Sequence, residues 1–155
     1  MRTPMKILAL VSLTVLLAAG AADAATPAAY RANVNQICRG YTPTGKSLEA
    51  QMKKAQAAKD YVAWGVALGR LLLLDLEQDR RIESVPVPAA LTARMKPILA
   101  RMRTIDGHIR AAIADAGAGK SQPMLAELLK IGDLAKPLNA QLDAAGLKDC
   151  GSNQT

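Results

Sequence analysis

Two short stretches of the chain contain residue types that can bind phosphate. Residues 40–47 read GYTPTGKS and satisfy the pattern G-x-x-x-x-G-K-S from Gly40 to Ser47. That pattern binds nucleotide phosphates when a strand enters the glycine loop and a helix leaves it, because loop amides and the lysine then surround the phosphates. Here the preceding segment is predicted to be helical, and a second Gly-Lys-Ser begins at Gly119. We interpret both as glycine turns followed by serine N-caps and predict no nucleotide binding.

The single histidine, His108, is the next candidate for chemistry. It falls outside the apolar stripe of its predicted helix and has no cysteine or carboxylate partner at metal-ligand spacing. An alternative is haem ligation opposite a methionine, but methionines at helical spacing are typical of core packing. We interpret His108 as solvated, and we predict no metal and no cofactor.

Arg70 and Asp75 stand on either side of four leucines, residues 71–74, and interrupt the leucine-rich middle of a predicted helix. In one interpretation, the favoured one, Arg70 extends into solvent and Asp75 finds a partner in a groove. In the other, they line an internal polar pocket with Gln78 and Arg80 that holds a small anionic ligand. We take Arg70, Asp75 and Gln78 as candidate ligand-binding residues. The sequence assigns no catalytic residue.

These candidates lie in a predicted helix over residues 60–84 that is apolar on nearly every side. At about 100° per residue, Val62, Val66 and Leu73 share one side, and other leucines cover the rest. Because such a helix is normally buried by neighbours on several sides, we predict that it is the central packing helix. Its polar interruption and short apolar length do not predict a membrane span.

The first half of the chain predicts two shorter helices before this one. Thr26 followed by Pro27 is typical of a helix start, and the first helix is predicted to end near Arg39. Residues 40–46 contain two glycines and a proline and are predicted to form a loop. Ser47 then caps a helix over residues 48–59.

The second half predicts two amphipathic helices. Residues 89–116 carry apolar side chains at helical spacing, with a kink or a new start expected at Pro97. Ser121 is predicted to cap the last helix, residues 123–145, which Pro137 should bend. Gly146 is placed for a left-handed C-cap, after which Leu147 can fold back on the helix. We predict an all-α antiparallel bundle of four to five helices.

The beginning of the chain is typical of a secretory signal. Arg2 and Lys6 precede a short apolar run, residues 7–19, and small residues stand at the peptidase positions Ala22 and Ala24. We predict a signal peptide over residues 1–24, with retention as an anchor as the alternative. Residues 25–155 then form a single domain, secreted or held in the periplasmic or cell-envelope space.

The two cysteines, Cys38 and Cys150, bear on that location. An even number of cysteines in an exported chain favours one disulfide, which would tie the first helix to the end of the chain. The alternative is two free thiols.

The charge is strongly basic, +7 in total, and Phe is absent. With so few aromatic side chains, a stacking platform for nucleic acid is not predicted. The excess indicates a solvated cationic surface, or attraction to an anionic envelope component or an acidic partner protein. The basic residues concerned are Arg94, Arg101, Arg103, Arg110, Lys120, Lys130 and Lys136.

Three short motifs occur together: Tyr30-x-x-Asn33-x-x-x-Ile37-Cys38, Pro86-x-Pro88 and Gly146-Leu147-x-x-Cys150. The combination resembles small exported or lipid-anchored helical proteins of actinobacterial type, whose function is uncharacterised. The resemblance implies a helical bundle and a Cys38–Cys150 bridge, and it carries no catalytic residues.

The sequence therefore predicts a secreted, non-enzymatic helical module that binds an unidentified protein or an anionic envelope component. The alternative is a small-ligand carrier or a small enzyme with a polar pocket near Arg70 and Asp75.

Overall fold

The computed structural model describes residues 26–154, so the predicted signal peptide, residues 1–24, lies outside the described part. Within residues 26–154 there are four α-helices, one short 3-10 helix and no β-strand. The α-helices are α1 (Pro27–Ala57), α2 (Tyr61–Glu83), α3 (Ala89–Gly117) and α4 (Ser121–Ala144), and the 3-10 helix is Ser152–Gln154. The predicted all-α class is confirmed.

The helices form two antiparallel hairpins. α1 packs along α2 and α3 packs along α4, while the contact between α2 and α3 is less extensive. The connections within the hairpins are tight turns, residues 58–60 and 118–120, and residues 84–88 join the two hairpins. Because direction alternates from helix to helix, both tight turns lie at one end of the molecule, the turn end. Residue 26 and the C-terminal segment lie at the other, the closed end.

The core is built around α3 rather than α2. α3 has the longest series of buried side chains, and α2 contributes few. Val62, Val66 and Leu73 of α2 are exposed, which corrects the prediction of a central α2. The physical reason is that α2 packs along α1 and only lightly on α3, so part of its circumference has no neighbouring helix. The buried residues of α3 are Leu91, Met95, Ile98, Met102, Ile105, Ile109 and Ala112.

α1 is one continuous helix, so the predicted loop at residues 40–46 is wrong. Pro43 lies inside it, and the hydroxyl of Thr42 donates a hydrogen bond to the Cys38 carbonyl. α1 packs along α2 here, and a Cβ atom added to Gly45 would lie 4.0 Å from a Leu74 methyl group. This packing outweighs the local glycine and proline content. The G-x-x-x-x-G-K-S stretch therefore has no open loop in which backbone amides could surround a phosphate.

The α3–α4 hairpin follows the prediction more closely. α3 ends at Gly117, and Gly119 has the positive φ of +70° that the turn needs. The helix continues through Pro97 without a new start, and α4 continues through Pro137. α4 begins at Ser121 itself, with Lys120 at the N-cap position and no capping side chain, so the predicted serine cap is wrong.

The closed end is held by a disulfide between Cys38 and Cys150, as predicted. Gly146 has φ +83°, and the Leu147 amide donates to the Leu142 carbonyl at 2.9 Å, which is the predicted left-handed C-cap. Leu147 is completely buried, so the chain folds back on the bundle.

Two side chains of α1 hold the segment after α4 in place. The Arg31 Nε donates to the Ala145 carbonyl at 2.8 Å. The Asn35 amide donates to the Gly146 carbonyl at 3.0 Å and its oxygen accepts from the Asp149 amide at 3.1 Å. Backbone groups that the end of α4 would leave unpaired are thereby satisfied.

Candidate functional site: a carboxylate-bearing cleft between the hairpins

A cavity of about 340 Å³ lies between the two hairpins. All four helices contribute to its wall, because the hairpins approach closely at the closed end and leave space between them further along. Most of the wall is apolar. The apolar lining includes Leu71, Leu74, Ile82, Met102, Ile105, Ile109, Ile131, Leu138 and Leu142.

Asp75 and Asp79 bring carboxyl groups into this apolar wall. They are four residues apart on α2, so their side chains project from the same face of the helix. Gln78 lines the cavity between them. Asp106 of α3 lies next to Asp79 and is not part of the lining. Its side chain forms a hydrogen bond with that of Asp79.

Burial raises the pKa of these acids, so they stay protonated at pH values at which an exposed carboxyl group is ionised. Desolvation, together with the negative charges of Glu49 and Asp106, raises the pKa of Asp75 to about 7. Desolvation and the charges of Asp106 and Asp75 raise the pKa of Asp79 even further. A hydrogen bond between two carboxyl groups needs a proton on one of them, because carboxylates only accept. Asp79 therefore donates to Asp106, whose own pKa is raised chiefly by desolvation.

The cleft acids lack a cationic partner within the described chain. No ion pair among residues 26–154 includes Asp75, Asp79 or Asp106. The cations nearest to them are Lys46, which lines the cavity, and Arg110, whose charge lowers the pKa of Asp106. In addition, the Asp106 Oδ1 atom is buried and receives no hydrogen bond from an N–H or hydroxyl group of the described residues. Buried acceptors are normally paired, so an uncompensated group of this kind is a candidate binding feature.

Tyr41 and Thr42 of α1 form the polar part of the opposite wall. The guanidinium of Arg81 lies over the Tyr41 ring, 5.6 Å from its centroid, at the outer side of the α1–α2 contact. The Thr42 hydroxyl is already used by the Cys38 carbonyl. Consequently, the cleft presents carboxyl groups and the Lys46 side chain within a largely apolar surface, with no hydrogen-bonded pair of nucleophile and base along its lining.

The structure brings together two of the three candidate residues predicted from the sequence. Asp75 and Gln78 line the cavity, whereas Arg70 is exposed and lies outside it. Arg80 is also exposed, and it pairs with Glu77 on the surface. The helical phase explains the difference, since Arg70 projects about 140° away from Asp75. Both arginines of the predicted pocket for an anionic ligand therefore lie outside the cavity.

Sequence reasoning missed Asp79 and Asp106. A usable signal was present for both. Asp79 follows Asp75 by one helical turn, and Asp106 stands within the apolar series of α3, four residues after Met102 and three before Ile109. An acid inside an apolar helical stripe predicts a buried carboxyl group.

His108 is half-buried rather than solvated. Its Nδ1 atom lies 2.5 Å from the Glu127 Oε2 atom, so the pair links α3 to α4, and Lys130 adds a second bond to Glu127 at 2.7 Å. The prediction of a solvated His108 is therefore wrong, because α4 covers that flank of α3.

Neither a metal site nor a membrane span is found among the described residues. No group of three or more His, Cys, Asp or Glu side chains is placed to hold a metal ion. None of the helices between residues 26 and 154 has both the length and the apolar character that crossing a bilayer requires.

Comparison with known proteins gives no assignment for this cleft. The chain matches no protein-family model, no curated protein and no solved structure.

Proposed function

We propose that the protein is a non-enzymatic binding module that holds a small organic cation with an apolar body in the cleft between its hairpins. One observation carries the proposal. The apolar wall of a cavity of about 340 Å³ contains carboxyl groups that no cation of the described chain neutralises.

The cavity suits a ligand of this chemistry in size and lining. Small-molecule sites usually enclose about 300–1,000 Å³ and combine apolar walls with a few polar groups that fix orientation. The leucines and isoleucines of the wall would cover an alkyl body. Asp75 and Asp79 would accept hydrogen bonds from an ammonium group, each worth about 1.5–3 kcal/mol when one partner is charged.

A cation that binds in the cleft would displace a proton from the cleft acids. In the empty cleft burial raises the pKa of Asp75 to about 7, so a large fraction of this group is protonated at neutral pH. An ammonium ion favours the ionised carboxylate and would lower that pKa. Affinity should therefore increase as the pH rises from 6 to 9, a range in which a primary amine with a pKa near 10.4 stays charged.

The setting we propose is an exported one. The predicted signal peptide and the Cys38–Cys150 disulfide support it, since structural disulfides persist in oxidising compartments. The resemblance to exported or lipid-anchored helical proteins of actinobacterial type is a further argument for the same setting. Binding is proposed rather than catalysis because the cleft lacks an activated nucleophile.

The test is isothermal titration calorimetry with hexylamine and with hexanol, which share an alkyl body and differ in charge. We expect hexylamine to bind at least about tenfold more tightly than hexanol, and Asp75→Asn to weaken hexylamine by about tenfold or more. Asp133→Asn, an exposed acid on α4, is the matched control and should bind as the wild type does. Equal affinity for the amine and the alcohol, or an unchanged affinity in Asp75→Asn, would contradict the proposal.

A further inference from the structure

The outer side of α2 carries an apolar stripe that the fold leaves uncovered. Val62, Val66 and Leu73 are 79%, 52% and 58% exposed, and Tyr61 at the turn end is 74% exposed. At about 100° per residue the first three fall within a sector of about 40°, roughly opposite Ile82, which lines the cleft. They extend over about 17 Å along the helix. We call Val62, Val66 and Leu73 the outer stripe.

Cations without ion pairs accompany the outer stripe. Lys54 near the end of α1, Lys59 in the turn and Arg70 on α2 are all exposed, and none takes part in an ion pair of the described chain.

The acidic side chains near the outer stripe already bind other groups or face the cleft. Asp60 accepts a hydrogen bond from the Ala63 amide as the N-cap of α2, and Glu77 binds both Arg80 and Arg81. Of the remaining acids of α2, Asp75 and Asp79 face the cleft, and Glu83 pairs with Arg103 of α3. The surface around the outer stripe therefore has a cationic excess.

We propose that the outer stripe docks on the surface of an anionic lipid bilayer. Aliphatic side chains on one helix face with lysines or arginines nearby are features of an interfacial membrane contact. Val62, Val66 and Leu73 would enter the boundary between headgroups and acyl chains, while Lys54, Lys59 and Arg70 would contact anionic headgroups. This contact leaves the cleft open, because it uses the opposite side of α2.

The charge pattern favours a bilayer over a second copy of the chain. In a symmetric pair, two outer stripes would meet with their cationic flanks side by side, and like charges brought together oppose association. An anionic headgroup surface instead meets the same cations with opposite charge. Self-association through the stripe is an outcome that the experiment separates.

The experiment is cosedimentation of the exported protein, its N-terminus verified by intact mass, with vesicles. Phosphatidylcholine vesicles with and without phosphatidylglycerol are compared at low and high salt. We expect binding to the phosphatidylglycerol vesicles only, weakened by salt. The variant V62S/V66S/L73S should lose at least about tenfold in partitioning, and Lys54→Glu about fivefold or more.

The matched control is L125S/L129S. Leu125 and Leu129 are 43% and 72% exposed on the outer side of α4, where Lys130 is already paired with Glu127. We expect this control to bind vesicles as the wild type does.

No binding of the wild type to anionic vesicles, or an equal loss in the control, would overturn the proposal. So would a dimer in sedimentation velocity that V62S/V66S/L73S converts to monomer without any vesicle binding. Circular dichroism checks that each variant folds, and Lys54→Glu provides an independent test that removes no apolar contact.

Discussion

The closed end and the cleft differ in how completely their polar groups are satisfied. At the closed end, Arg31 and Asn35 bind the carbonyl groups that follow α4, and the disulfide fixes the two segments together. In the cleft, Asp75 has no ion pair within residues 26–154, and no N–H or hydroxyl group there donates to the buried Asp106 Oδ1 atom. Both regions lie between α1 and the second hairpin. Only at the closed end do hydrogen bonds and a disulfide of the described chain connect the two.

This difference indicates a division of labour along the bundle. Proteins tolerate unpaired buried acids mainly where a ligand or a reaction uses them, because such groups oppose folding when they ionise. Substitutions at the closed end should therefore change stability, and substitutions in the cleft should change pH dependence and binding.

The largest effect is expected from removing the disulfide. Cys38→Ala/Cys150→Ala should lower the free energy of unfolding by about 2–5 kcal/mol, because the open chain gains conformational freedom in the unfolded state. Urea denaturation measures the loss. At a temperature where the variant is folded, its affinity for hexylamine should stay close to that of the wild type. A loss below about 1 kcal/mol would show that the closed end does not depend on the bridge.

The second effect concerns the pH dependence of stability. The pKa of Asp75 rises from 3.8 to about 7 on folding, so between these pH values the folded state binds more protons than the unfolded state. Stability must then fall as the pH rises through this window. Asp75→Asn should remove that contribution and be more stable than the wild type at pH 8, by up to about 4 kcal/mol, and differ little at pH 4.

Thermal or urea unfolding at pH 4 and pH 8 measures this difference. Asp133→Asn, exposed on α4, is the control and should follow the wild type at both values. If Asp75→Asn lost stability at pH 8 relative to the wild type, the carboxylate would be paired in the cleft rather than uncompensated.

A smaller effect is expected at the cap of α4. Gly146→Ala places a side chain at φ +83° and brings its Cβ within 2.9 Å of the Arg31 Cδ atom. The backbone strain alone should cost about 1–2 kcal/mol. Gly132→Ala is the matched change, because Gly132 lies within α4 with open space around it, and it should be neutral or stabilising by up to about 1 kcal/mol. Equal effects of the two changes would remove the special role of Gly146.

The smallest effect is expected from Arg70→Ala. Arg70 is exposed and lies outside the cleft, so unfolding free energy should change by less than about 0.5 kcal/mol and hexylamine affinity should not change. Calorimetry and urea denaturation measure both. Loss of hexylamine binding would place Arg70 in the site after all.

Local chemistry in the sequence predicted the closed end well. Gly146 as a left-handed cap and Leu147 folding back are each specified by a few neighbouring residues, and the Cys38–Cys150 pairing followed from there being two cysteines in a chain predicted to be exported. The cleft was predicted only in part, through Asp75 and Gln78, because the direction in which a helix faces its partners depends on all four helices together. The same limit explains α2, whose apolar circumference predicted burial although its outer stripe is exposed.

The error in α1 has a different physical cause. Gly40, Pro43 and Gly45 all weaken a helix locally, and their combination predicted a loop. Packing of α1 on α2 outweighs that preference, and no local pattern reports it. The G-x-x-x-x-G-K-S match lies inside helix α1, so the element in which it lies was assigned wrongly.

Proton release on binding tests the central claim most directly. Titration of hexylamine at pH 7 is repeated in two buffers that differ in their enthalpy of ionisation, so that the difference in heat counts the protons released. If the amine binds the cleft acids, a substantial fraction of a proton should be released per amine bound, and less in Asp75→Asn. Binding without proton release, or release that Asp75→Asn leaves unchanged, would contradict the assignment of the cleft as a site for organic cations.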